Sequence, residues 1–146
     1  MKLRIQKLHP AAGAPKFATD GAACFDLQTI EAGEVGPCGG TYQFRTGLAF
    51  EVPAGHVMLI FSRSGHGFKN SLSLVNCVGV VDSDYRGEVQ VKLRNASPIR
   101  FGFEPGDRIA QAMILAVPAV ELELADALTE TQRGTGGFGS TGSASF

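Results

Sequence analysis

The sequence predicts an all-β domain of sandwich, jelly-roll or partly closed barrel type, carrying a glycine-rich C-terminal arm. Several short segments alternate apolar and polar residues with a period of two, as strands with one covered face do. Glycine fills 19 of 146 positions, about twice its ordinary share, and the excess is spread as turn punctuation between those segments. No strand pattern is followed by a long helical one, which disfavours a doubly wound sheet.

Taken in order, the opening stretch MKLRIQKLHP lacks the apolar run of a signal peptide. No run anywhere approaches the roughly 18 apolar residues that span a bilayer, so the chain is expected to be soluble and cytoplasmic, with no membrane partner. AACFDLQT holds Asp26 inside an apolar stretch. That carboxylate either faces water on an edge strand or gathers a cation, a metal-bound water or backbone amides. YQFRTGLAFEV reads as one strand with Phe44, Thr46, Leu48, Phe50 and Val52 on a single face. HVMLIFS and RIAQAMILAV are apolar without a break, as strands covered on both faces are. GEVQVKLRN buries Val89, Val91 and Leu93, and VELEL repeats the pattern with Val120, Leu122 and Leu124. A turn or two of helix is expected around GHGFKNSL and another in ADALTETQ.

Chain length suits one domain, a β body over residues 1–132 with an arm over 133–146. The arm, RGTGGFGSTGSASF, has too little apolar surface to order its glycines unaided and needs a ligand or partner to do so. With 13 Lys plus Arg against 14 Asp plus Glu, the net charge of −1 provides no field to concentrate on a polyanion, which argues against nucleic acid as a partner. Cys24, Cys38 and Cys77 form neither a disulfide framework nor a zinc pattern and are expected to be reduced and mostly buried.

Besides the segment around Asp26, four others can carry chemistry. SRSG sets Arg63, Ser64 and Gly65 after a strand: paired donors, a hydroxyl and a residue that lets amides approach an anion. A polar turn capping a short helix accounts for the same three residues equally well. In PGDRIAQAMI, Asp107 and Arg108 read as a local pair at a turn, while Gln111 interrupts an apolar run and needs a hydrogen-bond partner if buried. NCVGVVDSDYRGEV breaks a strand to group Asp82, Ser83, Asp84 and Tyr85, a carboxylate and a flat ring on one turn. Asp82 and Asp84 stand too close in sequence for the opposed carboxylates of a glycosidase, and no third ligand makes them a metal pair. The arm contains a formal G-x-G-x-x-G at Gly134, Gly136 and Gly139, but too few residues follow for a Rossmann helix and strand. Composition alone favours a flexible linker or terminus, against which stand Arg133, which can fork onto phosphate, and Phe138, which can stack on a base.

In order and spacing, AACFDL, SRSG, NCVGVVDSDYRG, GDRIAQ and RGTGGFGSTG resemble the five motifs of the trimeric dUTPases, deoxyuridine triphosphate nucleotidohydrolases, from about Ala22 to Gly142. The resemblance implies a jelly-roll-like, distorted-barrel subunit and a homotrimer whose copies share active sites, the arm of one closing over a site built by the others. It implies Mg²⁺-dependent hydrolysis of dUTP to dUMP and pyrophosphate, which supplies dUMP for thymidylate synthesis and keeps uracil out of DNA. Asp82 would activate water for attack on the α-phosphorus. Arg63, Ser64 and Gly65 would hold the phosphate chain, with Gln111 placing phosphates or water. Asn76 and the backbone of Val80, Val81 and Asp82 would read uracil, Tyr85 would pack under the deoxyribose, and Gln90 would add a contact. Arg133, Phe138, Gly139, Ser140 and Thr141 would close over the nucleotide. Asp26 would sit near Mg²⁺ through its waters. Cys24, Ser62 and His66 depart from the residues usual in the family at their positions. The alternatives are a dCTP deaminase-like relative, which uses a glutamate near the place of Lys92, and a non-enzymatic β-sandwich binding module.

Overall fold

The structure, a computed structural model, describes residues 1–138, 140 and 142. Its strands are β1 (Arg4–Lys7), β2 (Lys16–Phe17), β3 (Phe25–Gln28), β4 (Gly33–Val35), β5 (Thr41–Arg45), β6 (Leu48–Glu51) and β7 (His56–Phe61). After helix α1 (Ser64–Asn70) come β8 (Leu72–Leu74), β9 (Gly79–Val81), β10 (Gln90–Asn95), β11 (Phe101–Phe103) and β12 (Arg108–Ala116). Short antiparallel pairings join them: β1 with β6, β11 with β4, the order β5-β10-β8, and a larger sheet in the order β2-β3-β12-β7-β9. These pieces wrap one apolar core, with Phe44, Phe50, Leu27, Leu48, Met58 and Ile109 fully buried at its centre. The result is the expected all-β, jelly-roll-like body.

The alternation in YQFRTGLAFEV holds, since Phe44, Thr46, Leu48, Phe50 and Val52 are all at most 2% exposed. The single strand does not. Gly47, at φ +66°, breaks it, and a Cβ there would stand 3.0 Å from His9 and 3.1 Å from Ala12. β5 stays on β10 while β6 turns away to pair with β1. Buried Thr46 bridges the break, its hydroxyl donating to the Val89 carbonyl at 2.6 Å.

Coverage of the two apolar strands is one-sided. Met58 and Ile60 of β7 are buried, whereas Val57, Leu59 and Phe61 are half-buried, and Leu115 of β12 is exposed. VELEL forms no strand and ADALTETQ no helix. An alternating pattern becomes a strand when something covers its apolar face, and among the described residues of one copy nothing covers Val120, Leu122 and Leu124, at 73%, 93% and 103% exposed. The helix expected around GHGFKNSL is α1. Burial of the cysteines is also corrected: Cys38 and Cys77 are exposed at positive φ, and Cys24 is half-buried, all free thiols.

One buried polar group fastens a corner of the body. Asn95 donates to the carbonyls of Val35 at 3.2 Å and Ile99 at 2.6 Å, and its oxygen accepts from the Ser97 amide at 2.9 Å and hydroxyl at 2.8 Å. Every polar atom of that side chain is thereby satisfied away from water.

Candidate active site

The larger sheet builds the first half of the site. β12 sets Gln111 opposite Phe61 of β7 on one side and opposite Asp26 of β3 on the other. Two residues past Phe61, Arg63 keeps extended backbone (φ −83°, ψ 135°) and leads into α1. Arg63, Ser64, Gly65, Gln111 and Asp26 therefore line one hollow. Arg63 Nε donates to Asp26 Oδ1 at 2.9 Å, and Arg108 Nη1 donates to Asp26 Oδ2 at 3.2 Å. Asp26 is thus the half-buried carboxylate that gathers cations, and the alternative of a water-facing edge residue falls. The expected local pair of Asp107 with Arg108 is corrected with it. Asp107 Oδ2 accepts from the Glu104 amide at 2.8 Å and closes the turn.

Gln111 Nε2 donates to the Ser62 carbonyl at 3.0 Å, and the Ser62 hydroxyl accepts from the Leu74 amide at 2.9 Å. This anchors one end of the Gln111 amide and leaves its oxygen toward other donors. A Cβ on Gly65 would meet nothing within 4 Å. Packing within the chain thus gives no reason for glycine there. Burial, and secondarily the charge of Asp26, push the Cys24 thiol above its ordinary pKa.

The hairpin region after α1 builds the second half. β9 is the outer strand of its sheet, so backbone groups along its free edge have no strand partner. Asn76, Val80, Val81, Asp82, Tyr85 and Gln90 surround a shallow pocket of about 230 Å³. The segment between β9 and β10 is held by its own side chains. Tyr85 Oη donates to the Glu88 carbonyl at 3.1 Å, and Arg86 Nη1 donates to the carbonyls of Ser83 at 2.7 Å and Tyr85 at 2.8 Å. The Glu88 carboxylate takes Arg45 Nε at 3.0 Å and the Gly47 amide at 2.8 Å, which ties this segment to the break between β5 and β6. Gln43 Nε2 donates to Gln90 Oε1 and so orients that amide. By contrast, the side chains of Asn76 and Asp82 make no hydrogen bond or ion pair among the described residues.

The two halves do not meet on one chain. Val81 stands opposite Met58 and Gly79 opposite Ile60, so Asp82 lies level with about Val57, six residues before Arg63. At roughly 3.3 Å per strand residue that is a separation on the order of 20 Å. The described arm residues join neither half: Arg133 Nε donates to the Gly136 carbonyl at 2.8 Å, and Phe138 and Ser140 are exposed. Gly139 and Thr141 lie outside the described residues.

Sequence reasoning missed Arg108, Glu88, Gln43 and Gly87. Gly87 carries a readable reason only in three dimensions, because a Cβ there would come within 2.3 Å of Tyr85 Oη and 2.5 Å of Cζ. Arg108 is visible as a charge in the sequence, but its partner Asp26 lies far away along the chain.

Comparison with known proteins gives a consistent answer. A family model described as dUTPase matches residues 11–142. The deoxyuridine 5'-triphosphate nucleotidohydrolase of Wolinella succinogenes is 44% identical over 142 residues, covering 97% of this chain and 95% of its own. That of Nautilia profundicola is 45% identical, covering 97% and 99%. In fold, the chain is similar to the dUTPase of Staphylococcus bacteriophage 80alpha solved with dUPNHPP, at TM-score 0.88 and 24% identity, covering 97% of this chain and 98% of that one. It is also similar to a phage phi11 dUTPase described with a structural Mg(II) ion, at TM-score 0.79 and 21% identity, covering 87% and 98%.

Proposed function

This chain belongs to the dUTPase family, and from that premise we propose that it hydrolyses dUTP to dUMP and pyrophosphate in the cytoplasm, acting as a homotrimer with shared sites. The observation that carries this reading is the pocket in which Asp82, a carboxylate without a side-chain partner among the described residues, stands beside Tyr85, Asn76 and the free edge of β9. Asn76 presents both a donor and an acceptor, which suits the uracil edge, and the confined hairpin leaves no room for a 5-methyl group. Tyr85, braced on Glu88, packs beneath deoxyribose and meets a 2′-hydroxyl with its ring.

Asp82 takes a proton from a water as that water attacks the α-phosphorus, and pyrophosphate leaves. Arg63, Ser64 and Gly65 grip the phosphate chain while Gln111, anchored on Ser62, places a phosphate or the water. The separation of roughly 20 Å between Asp82 and Arg63 supports the shared site, since one small nucleotide meets both more readily when they come from different copies. The arm, with Arg133 and Phe138, closes over the bound nucleotide, and Gly139, Ser140 and Thr141 add contacts to it.

Magnesium fits this site in one manner. Among the described residues no group of three or more His, Cys, Asp or Glu could hold a metal, and Asp26 already faces two guanidiniums. An ion held by the triphosphate and water fits, with Asp26 accepting from its waters, and it would neutralise phosphate charge. The dUMP formed supplies thymidylate synthesis, and removal of dUTP keeps uracil out of DNA.

Hydrolysis in ¹⁸O-labelled water tests the chemistry. Label is expected in dUMP alone. Label in pyrophosphate would mean attack at the next phosphorus and would overturn the arrangement around Asp82.

A further inference from the structure

Arg108 reaches Asp26 because β12 is irregular at that point. Along β3, Asp26 and Gln28 point to the same face. Gln111 stands opposite Asp26, so in an unbroken ladder Ile109 would stand opposite Gln28 and Arg108 would turn to the other face. Instead the register shifts between Arg108 and Ala110, and Arg108 stands opposite Gln28. Ile109 is the extra residue, and Ile109 and Ala110 are consecutive and both 0% exposed, as the bulged side of a strand allows. A bulge re-aims the side chain beside it. Here it brings Arg108 onto the face that holds Asp26 and Gln111.

The consequence is a pair of charge-assisted bonds on one carboxylate, Arg108 Nη1 donating to Asp26 Oδ2 and Arg63 Nε donating to Asp26 Oδ1, at 3.2 and 2.9 Å. Engagement through Nε fixes the plane of the Arg63 guanidinium. Its two terminal nitrogens make no hydrogen bond among the described residues, and Arg63 lines the hollow with Ser64, Gly65 and Gln111. Two guanidiniums on one carboxylate also leave a net positive charge beside that hollow.

We propose that Arg108 is a positioning residue for triphosphate binding, set by the β12 bulge to hold Asp26, which in turn presents the free fork of Arg63 to the phosphates. The inference rests on the dUTP reading above and adds how its phosphate grip is held in place. Arg108 acts through Asp26 and Arg63, without itself touching the nucleotide.

A double-mutant cycle tests it, using a non-hydrolysable dUTP analogue, inorganic tripolyphosphate and deoxyuridine as probes, each titrated calorimetrically with Mg²⁺. Arg108→Met is expected to weaken both phosphate probes about tenfold, the effect of one lost charge-assisted bond, and to leave deoxyuridine within twofold. Arg63→Met should weaken the phosphate probes at least as much. Adding Arg108→Met to Arg63→Met should cost nothing further, because the residue it positions is gone. Additive losses would show that Arg108 meets the phosphates directly and would overturn the proposal, as would unchanged affinity in Arg108→Met. Equal weakening of deoxyuridine would reveal a general structural defect and overturn it as well. If Arg108→Met does not fold, Arg108→Gln, shorter and uncharged but with a polar amide head, carries the same cycle. A wild type that cleaves dUTP but gives additive losses would sink this inference alone. A wild type that binds tripolyphosphate but neither binds nor cleaves dUTP would sink the dUTP reading and leave the cycle readable.

Discussion

Gly87→Ala is the smallest change that should move the specificity of this enzyme without touching a ligand-binding group. A methyl at that position would stand 2.3 Å from Tyr85 Oη and 2.5 Å from Cζ, against ordinary contacts of about 3.5–4.0 Å. The ring must withdraw by more than about 1 Å to restore normal contact, and at 46% exposure Tyr85 has room to do so. Withdrawal breaks the 3.1 Å bond from Tyr85 Oη to the Glu88 carbonyl, a net loss of about 1 kcal/mol. The entropy gained by replacing glycine offsets roughly 0.4–1 kcal/mol of that. Folding stability should therefore change little, with Tm within about 4 °C of wild type. Selectivity should change much more. If the ring is what meets a 2′-hydroxyl, its displacement removes a steric discrimination of roughly 1–3 kcal/mol, on the order of tenfold or more in the ratio of kcat/KM for dUTP over UTP. Steady-state pyrophosphate release from each nucleotide reads that ratio, with Tyr85→Phe as the companion that removes the bond and keeps the ring. A Gly87→Ala enzyme with wild-type discrimination would refute the role given to Tyr85.

Mixing Asp82→Asn and Arg63→Met copies should restore activity that neither has alone, since a shared site can draw a wild-type Asp82 and a wild-type Arg63 from different copies. Persistent inactivity in verified mixed oligomers would mean that each site is built within one chain. Asn95→Leu removes the side-chain donor to the Val35 carbonyl and one of two donors to the Ile99 carbonyl, which the Ser97 hydroxyl also serves at 3.0 Å, and should cost about 2 kcal/mol of stability, read by urea denaturation; a loss below about 0.5 kcal/mol would contradict the burial argument. Burial, and secondarily Asp26, raise the Cys24 thiol pKa. The folded state holds that proton more tightly than the unfolded chain, so its contribution is present below about pH 9 and is lost as pH climbs through the folded value. Stability should fall more steeply above pH 9 in wild type than in Cys24→Ala, and thiol reagents should modify exposed Cys38 and Cys77 before Cys24. Parallel stability curves, or Cys24 reacting first, would contradict the burial described.

Much of the body was legible because one rule governs it: an alternating segment is a strand when its apolar face is covered. Val89, Val91 and Leu93 followed that rule, and so did the buried face from Phe44 to Val52. The same rule misled at VELEL, where the pattern is present and one copy supplies no covering surface among the described residues. Gly47 was invisible as a break because alternation continues across it, and only the departure of β6 toward β1 shows why the chain must turn there. In the site, residue types were readable and their partners were not. Asp26, Arg63 and Arg108 are joined across long stretches of sequence, and the bulge that turns Arg108 toward Asp26 adds a single residue to an otherwise regular apolar run. Gly87 was hidden for a related reason, since its meaning depends on where the Tyr85 ring lies.

Release of pyrophosphate with Mg²⁺ from dUTP, dTTP, dCTP and UTP, measured in parallel for wild type and Asp82→Asn, decides whether this chain is a dUTP hydrolase with Asp82 as its base. Release confined to dUTP, lowered at least about a hundredfold in the mutant while its Tm stays unchanged, is the predicted result. An Asp82→Asn protein that still turns over dUTP at the wild-type rate, or a wild type that leaves dUTP intact, would contradict it.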